Sequence, residues 1–80
     1  MEYSSVSKQE ALAMLRVWHQ AGHELPSLAK VTPANEGKTI IVLIPGYRCN
    51  KWYQVGKRFT AYQEAMASIG ALLDEAQAAQ

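Results

Sequence analysis

With a single cysteine, Cys49, the chain has no internal disulfide. A disulfide scaffold is excluded, and a reducing cytoplasm is the expected setting. No apolar run approaches the ~20 residues that span a bilayer. The longest, Ile40 to Ile44, has the length of a buried strand, so no membrane partner is expected. The start, Met1-Glu2-Tyr3-Ser4-Ser5, lacks the basic and apolar regions of a signal peptide. Glycine-rich phosphate loops are missing too: Gly46 and Gly56 each stand alone at turn-like positions. Carboxylates are Glu2, Glu10, Glu24, Glu36, Glu64, Asp74 and Glu75. They are scattered, and the adjacent Asp74 and Glu75 read as a solvated helix face. No acid–base pair, nucleophile constellation or cofactor motif emerges. The chain is therefore expected to be no enzyme, with no catalytic residue and no cofactor.

One further absence is local. Between Glu36 and Glu64 there is no carboxylate, while Lys38, Arg48, Lys51, Lys57 and Arg58 all fall there. The formal net charge of +1 hides this asymmetry. A basic middle and an acidic final segment permit an anionic partner. They equally permit a basic sheet paired internally with an acidic helix.

What is present fits one small domain, residues 1–80, with 1–6 and 77–80 expected to fray. Ser7-Lys8-Gln9-Glu10 has the form of a capping box. Behind it, Ala11, Leu12, Leu15, Trp18 and His19 recur at helical spacing. Val6 and Ala11 can form a hydrophobic staple, and Gly22 and Pro26 stop the helix, giving a span of 8–21. Leu28 to Thr32 can form a short strand, and Pro33 to Gly37 reads as a turn. Lys38 to Ile44 is the best strand, ended by Pro45-Gly46. Trp52 to Val55 is a third strand. Thr60-Ala61-Tyr62-Gln63 is a second capping box, followed by Tyr62, Ala65, Met66, Ile69, Leu72, Leu73 and Ala76 on one helical face.

The predicted fold is α+β: helix, a two- or three-stranded antiparallel meander, helix. Both alternating sets of the best strand are apolar. Ile40, Val42 and Ile44 point one way, and Ile41 and Leu43 the other. Something must cover Ile41 and Leu43: the N-terminal segment, a helix, a partner, or a second copy in a homodimer. Met14 and Val17 widen the apolar area of the first helix and are candidates for an exposed patch.

Residues 46–59, GYRCNKWYQVGKRF, gather aromatic rings and cations. Tyr47, Arg48, Lys51, Trp52, Tyr53, Lys57 and Arg58 are the candidate partner-binding residues. Aromatic and arginine side chains are what interface centres favour, so another protein is the expected partner. A regulator or inhibitor fits a chain of this size, for instance a phage-encoded or accessory factor. The same mixture of charge and stacking surface suits nucleic acid. The order of helix, three strands and helix also resembles that of the double-stranded-RNA-binding domain. In that family a lysine-rich start of the second helix grips phosphates. Here Lys57 and Arg58 lie just before that helix, but Gln63 and Glu64 stand where lysines are wanted.

Two weaker constellations complete the reading. His19 and His23 have the four-residue spacing of helical metal ligands, but Gly22 ends the helix between them, and no metal site is assigned. Cys49 lies between Arg48 and Lys51, which favour its thiolate. No positioned base accompanies it.

Overall fold

The computed structural model describes residues 3–78. It is a small α+β domain: a four-stranded mixed sheet with two helices. The elements run β1 (Ser4–Val6), α1 (Lys8–Gln20), a 3-10 turn (Leu25–Ser27), β2 (Lys30–Ala34), β3 (Thr39–Pro45), β4 (Trp52–Val55) and α2 (Tyr62–Ala78). Strand order across the sheet is β1-β4-β3-β2. The meander β2–β3–β4 is antiparallel, as expected, and β1 adds to β4 in parallel.

Strand β1 corrects the expectation that residues 1–6 fray. Ser4 pairs with Tyr53, and the Val6 carbonyl accepts from the Gly56 N–H at 3.0 Å. The edge of β4 needs backbone partners, and the segment before α1 supplies them. Helix α2 likewise continues through Gln77 and Ala78. Residues 1, 2, 79 and 80 lie outside the described residues.

Helix α1 starts as its sequence predicts. The Glu10 N–H donates to the Ser7 hydroxyl at 3.1 Å, and the Ser7 N–H donates to the Glu10 carboxylate at 2.9 Å. The Ser7 backbone N–H first, and the Ser7 hydroxyl second, hold the Glu10 carboxyl below its ordinary value of 4.5. The helix ends in a Schellman motif. His23 N–H donates to Trp18 O and Gly22 N–H to His19 O, with Gly22 at φ +91°.

The second capping box does not form as read. Helix α2 begins at Tyr62, which puts Ala61 rather than Thr60 at the cap, and alanine has no side-chain acceptor. The β2–β3 turn is also shorter than expected. Pro33 and Ala34 belong to β2, and the chain reverses through Asn35, Glu36 and Gly37, all at positive φ. Pro33 is tolerated because β2 is an edge strand.

The core lies on one side of the sheet. Ala11 and Leu15 of α1 and Ala65, Ile69, Leu72 and Ala76 of α2 pack with Val42, Ile44 and Val55. Val6, Val31 and Ile40 join from the same sheet face. Ile41 and Leu43 point away from both helices and stand outside this cluster. Helical spacing puts Tyr62 and Met66 on the buried face of α2, yet they are 55% and 46% exposed. The stripe that meets the sheet is narrow, at 65, 69, 72 and 76. Tyr62 and Met66 overhang its margin and border an apolar groove with Pro26 and Ala29. On α1, Met14 packs against the core and Val17 is exposed.

Candidate functional site

The sheet face opposite the helices carries no second layer among the described elements. Register fixes what it displays. Lys30, Leu43 and Gln54 align across β2, β3 and β4, and Ser5 of β1 completes the row. Thr32 stands beside Ile41, and Trp52 beside Pro45. Ile41 and Leu43 are nevertheless only 4% and 3% exposed. Their cross-strand neighbours on this face are Thr32 for Ile41, and Lys30 and Gln54 for Leu43, and such flanking side chains can occupy the space over the central strand of a narrow sheet. As a seam between copies, Ile41 and Leu43 therefore offer little free surface.

The seven predicted partner-binding residues do not form one patch. Trp52 lies on the open face, where the Lys30 ammonium sits over its ring at 4.8 Å. Tyr53 pairs with Ile44 and faces the helix side. Its ring crowds Gly46: a Cβ there would lie 2.8 Å from Tyr53 Cε2 and would overlap Cys49 Sγ. Tyr47 also turns to the helix side. Its ring meets the Trp18 ring edge-on at 5.0 Å, and the Arg48 guanidinium lies 5.4 Å from its centroid. Trp18 in turn donates its indole N–H to the Pro45 carbonyl at 2.9 Å and meets His23 edge-on at 4.7 Å. A ladder of Arg48, Tyr47, Trp18 and His23 thus ties the 46–51 loop to the end of α1. Within the loop, Gly46 N–H donates to Lys51 O at 2.9 Å, and Arg48 takes φ +59°.

Lys51 is exposed at the start of β4, and Lys57 and Arg58 beyond its end. Four strand residues separate the two groups, a span of roughly 15 Å. Lys57 borders a groove on the helix side with Lys8 and Phe59. Arg58 borders a groove of about 770 Å³ on the open face, together with Tyr3, Ser5, Thr32 and Gln54. Of the predicted residues, the open face therefore receives Trp52 and Arg58.

Three residues of this face carry no sequence signal as site residues: Lys30, Gln54 and Tyr3. Alternation along β2 and β4 places Lys30 and Gln54 beside Leu43 once the register is known. Tyr3 depends on β1, which the sequence does not announce.

None of the side-chain hydrogen bonds among the described residues has a Lys or Arg donor. Pairing of the basic segment with the acidic last helix is not seen in that set. His19 and His23 are exposed, and among the described residues no three His, Cys, Asp or Glu side chains converge. Cys49 is a free, exposed thiol. No helix among the described residues is long and apolar enough to cross a membrane. No family model, curated protein or solved structure matches this chain.

Proposed function

We propose that this chain is a small non-enzymatic binding protein, a regulator or inhibitor that holds a partner protein against the open sheet face. One observation carries the reading: a cation already caps the ring that this face presents, with Lys30 over Trp52. A nucleobase would have to displace that ammonium before stacking there. Protein interfaces use such rings directly, as rigid anchors with a charged rim. Trp52 and Lys30 serve as the anchor pair, and Arg58 as the charged contact at the far end of the face. Catalysis has no role in this reading.

A second reading, nucleic-acid binding, has its own support. Lys57 and Arg58 are exposed just ahead of α2, within a stretch free of carboxylates. Fluorescence anisotropy of labelled duplex DNA, duplex RNA and single strands separates the two. The protein-contact reading expects no micromolar binding even at low salt. Binding that falls steeply with salt and vanishes in a Lys57→Glu, Arg58→Glu variant would transfer the function to nucleic acid.

A further inference from the structure

Strand β2 is one edge of the sheet, and the hydrogen bonds of β3 fix which of its backbone groups point outward. Ile40 exchanges both N–H to carbonyl bonds with Phe59 at 2.8 Å, and Gly46 N–H donates to Lys51 O at 2.9 Å. Even-numbered residues of β3 therefore turn their backbone groups toward β4, and odd-numbered ones toward β2. Thr39, Ile41 and Leu43 bond with Ala34, Thr32 and Lys30. Val31, opposite Val42, and Pro33, opposite Ile40, face away from the sheet. The edge thus offers the Val31 N–H, the Val31 carbonyl and the Pro33 carbonyl. Among the described residues, no backbone bond from beyond β3 reaches them.

A bare edge is a template for another strand, and charge or proline usually guards it. Lys30 is the only charged residue of β2. Its ammonium lies 4.8 Å from the Trp52 ring centroid, back across β3 and away from the edge. Pro33 guards only its own position. Beside the edge, on the helix side, runs a groove of about 320 Å³ with no charged residue in its lining. Tyr62, Met66, Gly70 and Leu73 of α2 form one wall, and Val31 belongs to the other. The space over Gly70 is open.

We infer that two copies of the chain pair edge to edge through β2, antiparallel about a two-fold axis at Val31, with the α2 stripes closing over the seam. In this register each Val31 N–H donates to the other copy's Val31 carbonyl. Lys30 faces Thr32 of the other copy, so no like charges stand opposite. Pro33 falls opposite Ala29, outside β2, where its missing N–H breaks no strand pair. An axis at Thr32 would instead pair Val31 with Pro33 and leave the Val31 carbonyl without a donor. The two sheets continue into one of eight strands, with all helices on one side and the two uncharged grooves facing each other. A helix offers the edge no free backbone groups, and a charged partner finds no counter-charge in the groove. A foreign strand would fill the edge and leave Tyr62 and Met66 to water, whereas a second copy covers both. The open face stays outside the seam in each copy, so dimerisation does not depend on what that face binds.

The test uses the full chain from micromolar to millimolar concentration. Sedimentation equilibrium should show the mass rising from 8.9 kDa toward twice that value. Amide hydrogen exchange of the ¹⁵N-labelled chain reads the register. The Thr32 amide, bonded to Ile41, should be protected at every concentration. The Val31 amide should gain roughly tenfold protection or more only as the dimer forms. Met66→Lys, at an exposed position, should fold and weaken dimerisation roughly tenfold or more by setting like charges across the seam. Val17→Lys, exposed on α1 and outside the groove, should leave it unchanged. A chain that stays monomeric at millimolar concentration would overturn the inference. So would a dimer whose Val31 amide exchanges as fast as in the monomer, or equal weakening by the two variants, either of which places the contact on another surface.

Discussion

Ile44 and Ile41 sit on the same strand, three residues apart, and both are almost inaccessible. They are buried by different means. Ile44 faces two helices and belongs to a continuous apolar cluster. Ile41 faces no second layer among the described elements, and its shielding is left to sheet neighbours such as Thr32. The difference teaches that an apolar pattern on both faces of a strand does not require a layer on both sides. In a narrow four-stranded sheet, the long side chains of the flanking strands suffice. The helix face is then a finished core, while the open face is an assembled surface whose outer layer is polar and cationic.

Cavity-forming substitutions should separate the two faces most strongly. Ile44→Ala should cost about 4 kcal/mol, near the upper end for such a change, and Ile41→Ala about 2 kcal/mol, since its polar neighbours can settle inward. Urea unfolding of both variants checks this, and equal losses would mean that the open face is packed as tightly as the core. Gly46→Ala should cost about 2 kcal/mol by forcing Cys49 and the Tyr53 ring apart. Its thermal melt should fall below that of Gly56→Asn, where nothing crowds the position and asparagine tolerates the positive φ.

Ser7→Ala removes the α1 cap at a cost of about 1 kcal/mol. The pH response isolates its carboxylate. Glu10 is depressed below 4.5 in the folded chain, so its contribution is complete above that value and is lost as pH falls through the lower folded value. Between about pH 5 and about pH 3 the wild type should therefore lose more stability than Glu10→Gln, which has no carboxylate to protonate. Parallel acid titrations of these two proteins would refute the assignment. The smallest effect concerns the open face alone. Lys30→Ala should cost about 0.5 kcal/mol through the lost contact with Trp52, and it should change the Trp52 emission.

The fold is legible where local chemistry decides it. Ser7 and Glu10 announce a cap, Gly22 a left-handed stop, and the β-branched run of β3 a central strand. Each depends on residues a few positions apart. Strand β1 is hidden because Ser4-Ser5-Val6 has no period of its own, and its place follows from an edge that β4 leaves open. Tyr62 and Met66 fit the helical period, but how wide a stripe the sheet can cover is a tertiary fact. Of the site, Trp52 and Arg58 are legible as types and not as neighbours. One stretch of sequence holds seven candidate residues; strand alternation sends Trp52 one way and Tyr53 the other, and the 46–51 loop turns Tyr47 to Trp18 on the helix side. Lys30 and Gln54 join them only through register.

The central claim is that the open face, not the helix face, meets a protein. Its most direct test places a photo-crosslinking residue at Thr32, on the open face, and in a second protein at Ala67, on the exposed side of α2. Both are irradiated in the cells that make the chain. The account predicts a discrete adduct from position 32 that survives nuclease, disappears with Arg58→Glu, and is absent from position 67. An adduct confined to position 67, or one at position 32 that nuclease removes, would contradict it.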